Sequence, residues 1–498
     1  MIECKNVSFS YQSAAASYSS GTPGGSLNNI SCTIEDGSFV LLCGSSGCGK
    51  TTMTRLFNGL IPHYYEGTLT GSVCLDGKNT CDLTLFDLSL KTGSVFQNPR
   101  SQFFNVDTTS ELAFGPENHG MPKEVVRERV TQAAKQLNLS SLLDRSIFSL
   151  SGGEKQKIAC GSASAIDPEI YVLDEPSSNL DSRAIADLRQ LLLTFKAQKK
   201  TVIISEHRLY YLSGLFDRVL FLKDGQIAGD YTAEEFKQLS PQQRDEMGLR
   251  PLTLTGLKNT ERLPAQNSNG IWKVKDFFFA YKHQPRLLHI PEADFPSGSA
   301  TAIIGHNGTG KSTFSRCLCG LERRFKGTVQ NTETCYSTKD RLKLCYMVMQ
   351  DVNHQLFTES VLDEILLSMK SENPSKDKEK AEKILNEMDL LPFADCHPMG
   401  LSGGQKQRVA VACAIASERP FILFDEPTSG LDLFHMRQVA KAVRQITASG
   451  RTVMIVTHDP EFILHCCHFV IHLESGYIKE SYAITDSTGQ ERLLKFFL

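Results

Sequence analysis

No stretch of the 498 residues is apolar over anything near 18 positions, so no segment is expected to cross a bilayer unaided. The opening residues, Met1-Ile2-Glu3-Cys4-Lys5, lack the pattern of a signal peptide. Neither charge is in surplus: 53 Lys and Arg against 56 Asp and Glu leave a net charge of -3. That balance gives no global reason to expect nucleic acid. The fifteen cysteines form no repeating framework, and their number is odd. Reduced thiols of a cytosolic protein are the expectation. Cys317-x-Cys319 and His465-Cys466-Cys467-His468 invite a metal reading, yet each lies in an apolar stretch without a second ligand pair at finger-like spacing. Buried core positions are expected there instead.

What is present is length and a duplicated pattern. The chain is too long for one ordinary core, so two domains of somewhat over 200 residues each are expected. Hydrophobic content of 41% and charged content of 22% fit a soluble globular protein. Gly44-Ser45-Ser46-Gly47-Cys48-Gly49-Lys50-Thr51 matches G-x-x-x-x-G-K-[S/T], with the apolar run Phe39 to Cys43 before it and Thr52 to Phe57 at helical spacing behind it. A loop between strand and helix is the context in which backbone N–H groups converge on phosphate oxygens. Alone, it could be a Gly-rich turn. Gly305-His306-Asn307-Gly308-Thr309-Gly310-Lys311-Ser312 is a second copy, again after an apolar run, Thr301 to Ile304.

The rest of the pattern repeats in the same order. Lys50, Gln97, Ser151, Asp174 and His207 recur as Lys311, Gln350, Ser402, Asp425 and His458, at offsets of 261, 253, 251, 251 and 251. The extra length of the first copy therefore lies before Gln97, where loops tolerate insertion. The chain reads as a tandem duplication with domains at 1–247 and 271–498 and a linker at 248–270. Ser13 to Ser26, rich in Ser, Ala and Gly, reads as a floppy hairpin tip.

Each repeated motif carries a chemistry. Apolar Ile170 to Leu173 leads into Asp174-Glu175, and the second copy repeats the pair as Asp425-Glu426. The aspartate can hold the hydration shell of Mg²⁺ opposite the Thr51 or Ser312 hydroxyl, and the glutamate can polarise a water for attack on a γ-phosphate. His207 and His458 each follow a β-rich strand, 33 positions after Asp174 and Asp425, where a ring can contact that phosphate. Gln97 and Gln350 can reach the metal or the water. Leu150-Ser151-Gly152-Gly153 and Leu401-Ser402-Gly403-Gly404 each open a helix. Capping explains Ser and Gly there, and free N–H groups at the same end can also bind an anion.

This ordered set, present twice, resembles the ABC ATPase family over nearly the whole chain. The resemblance implies an α/β fold of two RecA-like P-loop NTPase domains. Each would carry an antiparallel β subdomain and a helical subdomain bearing the Ser-Gly-Gly element. It implies ATP and Mg²⁺ as cofactors and a head-to-tail pairing of the halves around two ATP molecules. Site one would join Gly44, Ser45, Gly47, Cys48, Gly49, Lys50, Thr51, Thr52, Gln97, Asp174, Glu175 and His207 to Ser402, Gly403 and Gly404. Site two would join Gly305, His306, Gly308, Thr309, Gly310, Lys311, Ser312, Thr313, Gln350, Asp425, Glu426 and His458 to Ser151, Gly152 and Gly153. Glu175, His207, Glu426 and His458 would be the catalytic groups, with Thr51, Gln97, Asp174, Ser312, Gln350 and Asp425 at Mg²⁺. Tyr11 and Tyr281 match the aromatic on which the family stacks adenine, although a strand aromatic in the core is the competing reading. Both sites keep full residue sets, so hydrolysis is expected at both. The departures are Lys157, where the family often has Arg (the second copy keeps Arg408), and Asn179, where the second copy has Gly430.

Gln97-Asn98-Pro99-Arg100-Ser101-Gln102-Phe103-Phe104 further resembles the Q-N-P-x-x-Q stretch of energy-coupling factor ATPases, and Ser205-Glu206-His207-Arg208-Leu209 resembles their fused members. That likeness implies uptake of a vitamin, a precursor or a metal ion, at the cytoplasmic face of the membrane. A transmembrane scaffold subunit would dock in the groove after the glutamine, and a separate membrane subunit would bind substrate. Gln350-Asp351-Val352-Asn353-His354-Gln355 keeps both glutamines without Asn-Pro, so its groove is expected to differ. A soluble ribosome-acting ATPase of tandem type is the alternative, but it would carry a long charged linker. A DNA-repair or chromosome ATPase would carry a coiled coil or zinc modules, which do not appear.

Overall fold

Two short runs whose side chains are all buried, Phe39-Val40-Leu41-Leu42-Cys43 and Thr301-Ala302-Ile303-Ile304, lie inside sheets covered on both sides. In a computed structural model of the protein, which describes residues 1–12, 25–178, 180–258, 270–282, 286–369 and 373–498, the chain divides into the units Met1–Thr253 and Leu254–Leu498. The Ser/Ala/Gly tract (13–24), Asn179 and the middle of the expected linker (259–269) lie outside the described residues. At the start of that linker, Leu249 and Leu252 pack into the core of the first unit.

Each unit has the same two sheets. In the first, a six-stranded sheet runs Gln226–Thr232, Arg218–Lys223, Phe39–Gly44, Thr201–Ser205, Ile170–Asp174, Thr92–Val95. All its pairings are parallel except the edge pair of Gln226–Thr232 with Arg218–Lys223. The second unit repeats this with Cys345–Val348, Phe421–Asp425, Thr452–Val456, Ala300–Ile304, Phe469–Glu474 and, antiparallel at the edge, Tyr477–Ala483. A four-stranded antiparallel sheet completes each unit: Leu27–Ile34, Ile2–Tyr11, Gly67–Leu75 and Lys78–Asn79 in the first, and Arg286–Pro296, Ile271–Ala280, Lys326–Asn331 and Thr334–Cys335 in the second. Two α/β units, each with an antiparallel sheet and a helical part, is the architecture expected from the sequence.

The period of two along the strands splits the first unit's core into two faces. Leu41, Cys43, Tyr171, Leu173, Val202 and Ile204 face the helices, among them Leu112, Val130, Ile158, Leu188 and Phe195. Val40, Leu42, Ile170, Val172 and Ile203 face the antiparallel sheet and the helix Lys50–Phe57 through Val7, Phe9, Met53 and Leu56. The sheet is thus clamped on both sides, and the loops at the C-terminal ends of its parallel strands are the parts left free to meet a ligand.

Helix ends follow their caps. Ser151 begins Gly152–Ala165 with a capping box: its Oγ accepts from Glu154 N at 3.3 Å, and its own N–H donates to Glu154 Oε2 at 2.8 Å. Ser402 and Gln405 do the same for Gly403–Ala416. Asp181 and Asp432 cap the helices Ser182–Ala197 and Leu433–Ala448 by accepting from Ala184 N and His435 N, both at 2.8 Å.

Candidate nucleotide sites

Both phosphate loops close on themselves through their lysines. Lys50 Nζ donates to the carbonyls of Gly44 (3.0 Å) and Ser45 (2.9 Å), and Lys311 Nζ to those of Gly305 (2.8 Å) and His306 (2.9 Å). A cation held over the loop by neutral carbonyls keeps its charge available to an anion. Gly44 and Gly305 have φ of 147° and 151°, and a Cβ on either would come within 2.2 Å of a backbone carbonyl, Leu222 O or Leu473 O. Only glycine fits there. At Gly47 and Gly308 a Cβ would meet nothing within 4 Å, so the loop is open on that side. The helices Lys50–Phe57 and Lys311–Cys319 begin at Gly49 and Gly310, with no side chain capping the first turn. Their first N–H groups are left for an anion. Cys48 and Thr309 lie within the loops, and the Thr309 hydroxyl donates back to His306 O at 2.9 Å.

The carboxylates expected from the sequence meet these loops. Thr51 Oγ donates to Asp174 Oδ1 at 3.3 Å, and Ser312 Oγ to Asp425 Oδ1 at 3.0 Å. Burial raises the pKa of both aspartates; at Asp174 the adjacent Glu175 carboxylate adds to it, while Ser205 and Thr51 oppose it. A divalent cation fits this arrangement, because the donors are hard oxygens and a positive charge would offset the cost of the buried carboxylates. Glu175 and Glu426 sit at the strand ends with φ of 44° and 52°, a left-handed conformation that side-chain-bearing residues rarely adopt. The same unfavourable backbone at the same place in both units marks a position fixed by its surroundings.

Around the glutamates the two sites differ. Glu175 Oε2 accepts from Gln97 Nε2 at 2.7 Å, and its Oε1 lies 3.2 Å from His207 Nε2. Glu426 Oε1 lies 3.5 Å from His458 Nε2, and its Oε2 accepts from the backbone N of His458 at 3.2 Å. Gln350 is exposed. His458 Nε2 also lies 3.2 Å from Asn307 Oδ1 of the phosphate loop. A cavity of about 220 Å³ adjoins Thr51, Gln97 and Asp174 and is also lined by Arg55, Asn58 and Tyr65.

Tyr11 and Tyr281 are half-buried, and their hydroxyls lie 3.1 Å from Thr52 Oγ and Thr313 Oγ of the phosphate-loop helices. Arg55 donates to Tyr11 Oη at 2.8 Å and lies over the Tyr65 ring at 3.9 Å. Both tyrosines are therefore held beside a loop. The Ser-Gly-Gly elements are not brought to the loops of their own units: the polar contacts of Ser151 and Ser402 are those of their capping boxes. A Cβ on Gly153 would meet Ala184 Cβ at 2.7 Å and one on Gly404 would meet Leu431 Cδ2 at 3.2 Å, whereas one on Gly403 would meet open space. Gly152 is the first helical residue of its segment.

Sequence reasoning missed two contributors in the first unit. Ser205 Oγ donates to Asp174 Oδ1 at 2.5 Å and accepts from Glu175 N at 3.2 Å. Glu206 is 2% exposed and fully engaged. The signal was there, since polar Ser-Glu closes an otherwise apolar strand; the second copy has Val456-Thr457. The cysteines read as core are core: Cys317, Cys319, Cys466 and Cys467 are buried, and none of the fifteen cysteines, all of them among the described residues, forms a disulfide. Burial pushes the Cys160 and Cys413 thiols up to about 12, which removes them as nucleophiles near neutral pH.

The family model described as "ABC transporter" matches residues 27–178 and again 288–429. A protein of Treponema denticola with the provisional name ABC transporter ATP-binding protein is 43% identical over 484 residues, covering 96% of each chain. One of Methanosarcina acetivorans with the same name is 31% identical, over 91% of this chain and 82% of its own. Among solved structures, an archaeal ribosome recycling factor crystallised with a ribosomal stalk protein superposes with a TM-score of 0.63 at 22% identity, over 95% of this chain and 90% of its own. A chain named RNase-L inhibitor reaches 0.66 at 20% identity, over 99% of this chain and 93% of its own. At such identities these two likenesses show the shared fold of two tandem ATPase domains.

Proposed function

The chain belongs to the ABC transporter family and carries two ATP-hydrolysing domains, and we propose that it powers an importer of the energy-coupling factor type from the cytoplasmic face of the membrane. In this reading Lys50 and Lys311 hold the β- and γ-phosphates, with the N–H groups of Gly47 to Thr52 and of Gly308 to Thr313 around them. Glu175 and Glu426 orient and polarise the attacking water, and His207 and His458 fix it against the γ-phosphate. Thr51 with Asp174 and Gln97, and Ser312 with Asp425, would hold Mg²⁺, which supplies charge neutralisation to the phosphates when bound. Each nucleotide would be completed by the Ser-Gly-Gly element of the opposite unit, so that ATP closes the halves and hydrolysis reopens them.

The observation that carries the importer reading is the segment after Gln97. Asn98 Oδ1 accepts from Arg100 N at 3.1 Å, and Gln102 pins the turn back to the sheet by accepting from Phe96 N (3.2 Å) and donating to Ser94 O (2.9 Å). Next to this built turn, Phe104 is 75% exposed and stacks on Phe114 with centroids 4.8 Å apart. Val106 and Phe148 are also largely exposed. Apolar side chains held out from a rigid loop suit the end of a membrane subunit's helix. Among the described residues no helix is long and apolar enough to cross a membrane, so translocation would need separate membrane subunits. The test is an affinity pull-down from detergent-solubilised native membranes, with an ATPase assay of the complex. Recovery of a polytopic scaffold with a small substrate-binding subunit supports the reading, and the small subunit reveals the substrate. Recovery of ribosomes without membrane protein sinks it.

A further inference from the structure

Glu206 is a buried carboxylate that the hydrolytic scheme above does not use. Its Oε1 accepts from the backbone N of Ser177 at 3.0 Å and from Tyr211 Oη at 2.7 Å. Its Oε2 accepts from the backbone N of His207 at 3.0 Å and of Arg208 at 3.2 Å. Arg208, itself buried, donates from Nη1 to Leu180 O at 3.4 Å. Four donors on one enclosed carboxylate offset its desolvation. They tie the turn that carries His207 to the loop that follows Glu175.

The second unit solves the same problem with different residues. Where the first has Glu206, Arg208 and Tyr211, the second has Thr457, Asp459 and Phe462, each 251 positions on. There the carboxylate lies on the other side of the histidine. Asp459 Oδ2 accepts from Thr428 Oγ at 3.1 Å, Asp459 Oδ1 from Phe462 N at 3.2 Å, and Thr457 Oγ from Asp459 N at 3.1 Å. The three positions differ together in a consistent way: the tyrosine hydroxyl is present where Glu206 accepts it and absent where there is no such glutamate. The backbone N of the histidine also changes partner. In the second unit it donates to the catalytic Glu426, whereas in the first Glu206 accepts it and Glu175 Oε2 accepts from Gln97 instead.

From this we infer that Glu206 is a positioning residue for hydrolysis in the first unit. It sets the His207 ring against Glu175 and couples it to Ser177, with Arg208 and Tyr211 as its partners. The inference rests on the assignment of Glu175 and His207 as the hydrolytic pair. Glu206→Gln turns one acceptor into a donor facing two donors, so kcat of the full chain should fall about tenfold while KM for ATP stays within about twofold. The triple variant Glu206→Thr, Arg208→Asp, Tyr211→Phe, which installs the second unit's residues, should keep kcat within about threefold of the parent. It also decides the matter should the single variant fail to fold. His207→Ala is measured in parallel and should lose about 100-fold. Wild-type kcat in Glu206→Gln alongside a disabled His207→Ala overturns the inference, as does a folded triple variant about tenfold or more slower than the parent. Wild-type turnover in His207→Ala takes down the underlying assignment and the inference with it.

Discussion

In the first unit the Glu175 carboxylate is shared between a glutamine and a histidine ring, 2.7 Å and 3.2 Å away. In the second, Glu426 meets the ring and the backbone of one histidine, at 3.5 Å and 3.2 Å, and Gln350 stands exposed. The phosphate loops before them are near copies, down to the glycine whose Cβ would strike a carbonyl at 2.2 Å. The comparison teaches that the phosphate loop of each unit is fixed by backbone geometry and so repeats. The surroundings of the two glutamates depend on side chains from several loops, and there the two units have separated.

The largest effects should come from the glutamates. Glu175→Gln and Glu426→Gln, assayed separately by steady-state ATPase rates, should each lower turnover by about 100-fold or more. A single change that left turnover untouched would mean that only one site works, and the comparison would become one of an active and a silent unit. The glutamines should sharpen the contrast. Gln97→Ala should reduce kcat about tenfold through loss of its bond to Glu175, whereas Gln350→Ala, starting from an exposed side chain, should change it less than about threefold. Equal losses would show that Gln350 swings in when nucleotide binds.

Stability offers a third comparison. Arg408 is 5% exposed and donates to the carbonyls of Met388 at 2.9 Å and Asp389 at 3.4 Å, whereas its counterpart Lys157 pairs with Asp187 at 2.7 Å nearer the surface. Arg408→Ala should cost about 2–3 kcal/mol, for lost packing and two unpaired carbonyls, and Lys157→Ala about 0.5 kcal/mol or less. Urea unfolding of the two variants separates these values. The smallest effect concerns His472, which stands where the first unit has Phe221. Burial lowers its pKa against the pull of Glu480, so the unfolded chain binds the proton more readily. The stability it contributes is present above its ordinary pKa near 6.5 and lost as pH falls through its lowered folded value. His472→Phe should flatten that part of the acid limb, read as melting temperature between neutral and mildly acid pH; an unchanged limb would show that the ring is not buried neutral.

The sequence carried the two-unit α/β architecture because aliphatic strand runs and capped helices are local signals. Phe39 to Cys43 had to be buried on both faces, and Ser151 and Ser402 had to open helices. It also carried the residues that meet Thr51 and Ser312, since Asp174 and Asp425 end apolar strands and had nowhere else to point. Ser205 and Glu206 were legible only as part of a resemblance, and their bonds were not, because their partners, Asp174 and Ser177, lie about thirty positions away and only strand pairing brings them close. Nor did the pattern reveal that Gln97 bonds to its glutamate while Gln350 stands exposed, since both follow a short parallel strand.

What the sequence by itself determined is what spacing and residue type can encode: the duplication, the glycines of the two phosphate loops, the lysines Lys50 and Lys311 that close them, and the order of the motifs. What only the tertiary structure decided is who accepts each proton donor around Glu175 and Glu426. A hydrogen bond is settled within a few tenths of an ångström between groups far apart in the chain, and no periodicity records that distance. Two copies of one motif set can therefore read alike in sequence and still surround those glutamates differently.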